Sequence, residues 1–178
     1  MKLKEKKFVS LLLSFVLVLG FAMPAFAYET PPGTVDSLCS VAGPTFMLNA
    51  LTWGTPVSGT KVTVWTNDST NAQRWRMETF PGTSFYWVKN GANASLAVHY
   101  NGNAQAFLTT ASSTAAATQA IKFIFEGTGI ESHAYYGLVL PQYLIALTAT
   151  ELKDGGAVQW QGSNGKTNQL WYRGAYFS

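Results

Sequence analysis

The chain has 178 residues, of which 12% are charged and 14% aromatic, with a formal net charge of +3. All of that excess lies in the first seven residues, where Lys2, Lys4, Lys6 and Lys7 stand against Glu5. The remainder carries eight cations and eight anions, so it offers no basic stripe to nucleic acid and no cationic face to an anionic membrane.

The N-terminus is read first. The lysine-rich start is followed by an uncharged stretch from Phe8 to Tyr28, strongly apolar from Val9 to Phe21, and then by Ala25-Phe26-Ala27. A basic start, a short apolar run and a small-x-small site describe a secretory signal peptide over residues 1–27. The run is short against the ~20 residues of a membrane span. The expectation is cleavage between Ala27 and Tyr28, secretion, and one domain over residues 28–178.

That domain reads as short strands and turns. Tyr28 to Thr34 is an extended lead-in. Strand-like runs follow at Leu38–Val41, Lys61–Thr66, Phe85–Val88, Ile121–Glu126, Tyr135–Leu140 and Ala157–Gln161, all rich in β-branched or aromatic residues. Turn signals separate them at Asn90-Gly91, Asn101-Gly102, Gly155-Gly156 and Asn164-Gly165. The Ala-rich stretch Thr110–Ala120 reads as loop and strand because Thr and Ser interrupt it. Cys39 is the single cysteine. It cannot form an internal disulfide, and its place in a strand predicts a buried, inert thiol. A disulfide-linked dimer is the sharper alternative.

One phrase returns three times. Gln73-Arg74-Trp75, Gln119-Ala120-Ile121 and Gln169-Leu170-Trp171 lie at intervals of 46 and 50 residues. A period of that size indicates one folding unit written three times. Each unit opens on an aromatic-rich strand, near Leu38, Phe85 and Tyr135. A Leu-containing strand follows, at Met47-Leu48-Asn49, Ser95-Leu96-Ala97 and Tyr143-Leu144-Ile145. A Gly-led strand comes third, clearest at Gly59–Trp65 and Gly155–Trp160, and the phrase closes the unit. Twelve strands on a pseudo-three-fold axis, closed as a barrel with a hairpin cap, would leave few sheet edges. In that reading Trp75, Ile121 and Trp171 are core residues, while Gln73, Gln119 and Gln169 pin neighbouring loops through their amides.

Thr60–Trp75 and Gly156–Trp171 resemble the Gln-x-Trp repeats of the ricin B-type (R-type) lectins, over nearly all of the chain after residue 27. The resemblance implies an all-β, β-trefoil fold and shallow pockets for galactose- or xylose-type sugars, without the paired disulfides common in the family. It also implies a pocket pattern: an early aspartate, an aromatic platform eight residues before the motif glutamine, and an Asn next to that glutamine. Unit one has Trp65 at the platform, with Asn67, Asp68 and Asn71 in the closing turn. Asn49 stands at the aspartate position and Ala72 at the Asn position. Unit three has Asn168-Gln169, with Gln161 at the platform spacing, Trp160 one residue earlier and Asn164 in the closing turn. Its aspartate position falls on Ile145 or Ala146. Unit two has Ala111, Ala97 and Thr118 at the three positions, which reads as scaffold alone. The carbohydrate-binding residues implied are therefore Asn49, Trp65, Asn67, Asn71, Gln73, Trp160, Gln161, Asn164, Asn168 and Gln169.

Chemistry for catalysis is sparse. His99 and His133 are the two histidines and have no metal-ligand spacing. No Gly-x-Ser-x-Gly and no phosphate loop occurs, and the carboxylates are scattered. The expectation is a non-catalytic binder of neutral glycans, with no cofactor or metal, no nucleic-acid partner and no membrane span. A protein-binding trefoil, acting as a toxin's receptor-recognition subunit or as an inhibitor through loops such as 92–105, remains the alternative.

Overall fold

The computed structural model describes residues 35–174. The signal segment, its cleavage point and the lead-in at Tyr28–Thr34 lie outside the described residues. The strands fall into three groups. Unit one holds β1 (Val35–Asp36), β2 (Leu38–Ser40), β3 (Gly43–Ala50), β4 (Val62–Thr66) and β5 (Trp75–Thr79). Unit two holds β6 (Tyr86–Asn90), β7 (Leu96–His99), β8 (Phe107–Thr110) and β9 (Lys122–Thr128). Unit three holds β10 (Ala134–Leu140), β11 (Ile145–Ala149), β12 (Gly156–Gly162) and β13 (Leu170–Arg173). Apart from the two-residue β1, each unit has the four strands expected.

Every pairing is antiparallel. The closing strand of one unit pairs with the opening strand of the next: β5 with β6, β9 with β10, and β13 with β2. The order β11-β12-β4-β3-β2-β13-β10, with β10 returning to β11, makes a closed ring. Closure satisfies backbone groups that an open sheet would leave at its edges.

Equivalent residues meet in layers of three. Trp75, Ile121 and Trp171 are fully buried, as are Leu38, Val88 and Leu138. The two indoles donate to equivalent carbonyls at the same length, Trp75 Nε1 to Leu48 O at 2.9 Å and Trp171 Nε1 to Leu147 O at 2.9 Å. Ile121 keeps the place without the donor. A further layer of Val62, Ala106 and Val158 is linked by backbone bonds, Val62 N to Ala106 O and Ala106 N to Val158 O. One side chain ties all three units there. Gln105 Nε2 donates to the carbonyls of Val62, Ala106 and Val158 at 2.8, 2.9 and 3.1 Å. One amide group thus shares its two hydrogens among three units.

Two expectations need correction. The Thr110–Ala120 stretch contains a single helical turn, Ala116–Gln119, after β8. Alanine is the best helix former, but four residues cannot extend into a stable helix. The segment Tyr143-Leu144-Ile145 was expected in a strand. Leu144 instead lies in the turn before β11, 73% exposed, with a left-handed φ of 53°.

Cys39 is fully buried in β2. Burial pushes its thiol up to about 12, as expected for an inert side chain. Gly91 marks a close crossing between units. A Cβ there would stand 2.9 Å from that of Arg74, and its N–H donates to Arg74 O at 2.7 Å. The Asn90-Gly91 turn therefore requires glycine for space.

Candidate functional site

The motif glutamines make the same bonds in each unit. Gln73 Oε1 accepts the N–H of Asp68 and its Nε2 donates to Thr66 O, both at 2.9 Å. Gln169 Oε1 accepts the N–H of Asn164, and its Nε2 donates to Gly162 O and Thr148 Oγ1. Gln119 accepts from Ser112 and donates to Thr110 O and Thr109 Oγ1. All three glutamines are buried. Their amides are spent on fixing the closing turn, in the unit with no expected pocket as in the others. The sequence reading put Gln73 and Gln169 among the sugar contacts; their polar atoms face protein.

A cleft of about 460 Å³ opens beside the closing turn of unit one. Trp65, half-buried at the end of β4, lies in its wall with Asn49, Asn71 and Asp68. Trp65 is positioned from the unit-three side. Its strand neighbour Thr66 donates its N–H and its hydroxyl to Asp154 Oδ1, both at 2.7 Å. The same loop of unit three brings Gly155 so close that a Cβ there would stand 3.7 Å from the indole. These two donated bonds hold the exposed Asp154 carboxyl below its usual 3.8. On the other side stands Trp53, perpendicular at 81° with ring centroids 6.0 Å apart.

Asn49 is buried at the base of the cleft, within 3.4 Å of its cross-strand partner Thr63 through Nδ2. Asn71 is exposed in the closing turn and can reach a bound molecule. Asp68, whose Oδ1 accepts the N–H of Thr70, is the one charged residue in the lining. Asn67 lies outside it. Its Oδ1 accepts the N–H of Ser69, which makes it a turn former. Ala72 is held from behind by Asn90 Nδ2 on its carbonyl at 3.1 Å.

Unit three differs. Trp160 is 4% exposed and its indole donates to His99 O at 3.1 Å. It faces the core and presents no stacking surface, which removes it from the carbohydrate-binding residues implied by the resemblance. Strand pairing gives the reason. Trp160 pairs with Leu147 as Val64 pairs with Leu48, so Trp160 fills the inward position and Gln161 the outward one. Gln161 is exposed and bonds Gln159. Asn164 Oδ1 accepts from Lys166 N, and the half-buried Asn168 reaches Ala149 O at 3.4 Å. Trp160, being buried, offers them no aromatic face.

No protein-family model matches this chain, and no curated protein matches its sequence. Solved structures do match. The designed three-fold symmetric protein ThreeFoil superposes with a TM-score of 0.67 at 19% identity, over 80% of this chain and 99% of its own. The fold is a β-trefoil. A mosquitocidal holotoxin matches with a TM-score of 0.65 at 12% identity, over 82% of this chain but 17% of the toxin's length. A ricin B-like lectin from Macrolepiota procera, solved with lactose, matches with a TM-score of 0.61 at 12% identity, over 82% of this chain and 97% of its own. At such identities the likeness establishes the fold.

Trefoil equivalence also resets the positions counted along the sequence. Because the turn before Gln119 is two residues longer, the unit-two counterpart of Trp65 is Thr109, not Ala111. The counterparts of Asn49 are His99 and Thr148, not Ala97 and Ile145 or Ala146. Unit two thus places a histidine at the outer end of its strand. Burial holds His99 below the ordinary 6.5, and its Nδ1 has no hydrogen-bond partner. Sequence reasoning missed Trp53 altogether. The available signal was a tryptophan standing outside any strand, just before Gly54-Thr55-Pro56.

Proposed function

We propose that this chain is a secreted, non-catalytic carbohydrate-binding trefoil whose ligand site is the unit-one cleft, and that its ligand is a neutral glycan of galactose or xylose type. The observation that carries the reading is Trp65 in the wall of that cleft, beside Asn49 and Asn71. A pyranose has one face of C–H groups that stacks on an indole, and hydroxyls at its rim that bond amides and carboxylates. The lining carries a single charge, Asp68, which suits hydroxyl recognition and does not select for a charged sugar. The R-type resemblance of the Gln-x-Trp phrases supports the choice of sugar. The signal-like residues 1–27 support export.

The test is titration of the protein, freed of residues 1–27, with galactose, lactose, xylose and xylotriose. Single-sugar contacts of this depth reach about millimolar affinity, near −4 kcal/mol. Binding should change little with salt, because no ion pair forms. Trp65→Ala should abolish it. A wild-type protein that binds none of these sugars would sink the reading.

A protein-binding role is the second reading, and one observation favours it. The β9–β10 hairpin exposes Phe125 and Ile130, and a similar trefoil makes up 17% of a mosquitocidal holotoxin. The segment 92–105 expected as a loop holds strand β7 and the core-tying Gln105, so under that reading Trp65→Ala leaves function intact, while substitutions in that hairpin or in the exposed bend 101–104 remove it.

A further inference from the structure

Trp53 is the least explained large side chain in the described residues. It is 98% exposed, in a fold that buries Trp75, Trp160 and Trp171. Leaving an indole wholly in water forfeits the burial that makes tryptophan useful to a core. Nor does Trp53 sit on a loose tip. Thr52 Oγ1 accepts the N–H of Gly54, and Thr60 Oγ1 accepts that of Val57. Pro56 in the same loop is buried, and its carbonyl accepts Asn93 Nδ2 of unit two at 3.0 Å. The loop is pinned, and it holds one indole out at the mouth of the cleft.

The two indoles divide the cleft. Trp65 is half-buried in the wall, while Trp53 stands at right angles to it at 6.0 Å. A single ring stacked on Trp65 meets Trp53 along one border only. The remaining surface of Trp53 is left for a second ring. The cleft volume of about 460 Å³ lies within the range of sites that hold drug-sized ligands, roughly 300–1,000 Å³.

We propose that Trp53 carries a second sugar subsite, so that the cleft takes two or more linked pyranose units of a neutral, twisted glycan chain in preference to one terminal sugar. The proposal rests on the carbohydrate reading above and adds the length and shape of its ligand. Shape follows from the angle. Successive rings of a flat, two-fold chain such as a 1,4-linked glucan lie in parallel planes and can stack on only one of two perpendicular indoles. A chain whose successive rings turn, such as a xylan or a 1,3-linked galactan, can stack on both.

The experiment compares wild type, Trp53→Ala and Trp65→Ala against xylose, xylotriose, galactose, β-1,3-galactotriose and cellotriose, by calorimetry or ligand-observed NMR. Wild type should bind at least one of the two twisted trisaccharides about tenfold more tightly than its monosaccharide, a gain of about 1.4 kcal/mol. Trp53→Ala should erase that gain and leave monosaccharide affinity within about twofold. Cellotriose should show no gain. Because Trp53 packs on no core residue, its removal should leave the melting temperature unchanged, so a loss of affinity reads on the site.

Equal affinity of wild type for monosaccharide and trisaccharide would overturn the second subsite. So would a Trp53→Ala protein that keeps the trisaccharide gain, or one that loses monosaccharide and trisaccharide affinity alike. A gain for cellotriose equal to that for the twisted chains would overturn the shape preference. In each of these cases binding that depends on Trp65 leaves the carbohydrate reading standing. Wild type binding none of the five sugars overturns both.

Discussion

Units one and three share a scaffold and differ in what they put on it. Both close on a buried tryptophan whose indole donates to an equivalent carbonyl at 2.9 Å, and both spend a buried glutamine on the closing turn. Unit one then points Trp65 outward and keeps small Val64 inside. Unit three does the reverse, with Trp160 inside and Gln161 outside. One step along a strand turns a side chain from one face to the other. Two units that each carry one tryptophan at this place therefore have opposite surfaces. The buried scaffold residues are alike in the two units while the surface residues differ, so a matching Gln-x-Trp phrase speaks for the fold and not for a pocket.

The comparison breaks if scaffold and surface residues respond alike. Trp171→Ala or Trp75→Ala should lower unfolding free energy by ~3–5 kcal/mol, the range for emptying a large aromatic site. Trp65→Ala should cost much less, and chemical denaturation of the three variants side by side measures the contrast. A Trp171→Ala protein as stable as wild type would mean that its indole does not hold the core.

The next effect concerns the glutamines. Gln73→Leu, Gln119→Leu and Gln169→Leu each leave a turn N–H and a strand carbonyl without a partner, at ~1–3 kcal/mol for each group that stays buried. The loss should appear in unit two as in units one and three. If Gln119→Leu were neutral while the other two were costly, the shared scaffold role would fail.

Cys39 sharpens the picture of a closed interior. Its thiol is pushed up to about 12 from 9.0 by burial. A group with a raised folded value contributes stability that is complete below pH 9 and is lost as pH rises toward 12. The folded protein at pH 8 should resist alkylation and react only once denatured. Rapid native-state labelling would show that β2 opens.

The smallest effect lies at Asp154, which ties unit three to the Trp65 strand. Its folded value is lowered by the two bonds from Thr66, so its contribution is present at neutral pH and fades as pH falls below 3.8. Asp154→Asn should remove that acid dependence and loosen Trp65, seen as a change in indole fluorescence. Unchanged acid melts would mean that the contact does not act on the fold.

Much of the fold was legible in the sequence. Strands at Tyr135–Leu140 and Ala157–Gln161 fall within β10 and β12, and the Gln-x-Trp period located the three equivalent core positions. What failed was counting inside the units. Leu144 resembles Leu48 by local context, yet it lies in a turn, and Leu147 takes the structural place. The longer turn before Gln119 likewise displaced the unit-two platform from Ala111 to Thr109. Turn length is set by how the backbone closes, which short identity phrases do not encode. The cleft was half legible. Trp65, Asn49 and Asn71, which line it, are residues the R-type resemblance implied, while Trp53 belongs to no repeat position and comes to Trp65 only through the folded loop.

The central claim is that unit one alone of these two carries the sugar site. Calorimetric titration with the tightest-binding trisaccharide, on wild type, Trp65→Ala and Asn168→Ala, tests it most directly. The account predicts one site per chain, lost in Trp65→Ala and retained in Asn168→Ala. Two sites per chain, or binding that survives Trp65→Ala and disappears in Asn168→Ala, would contradict it.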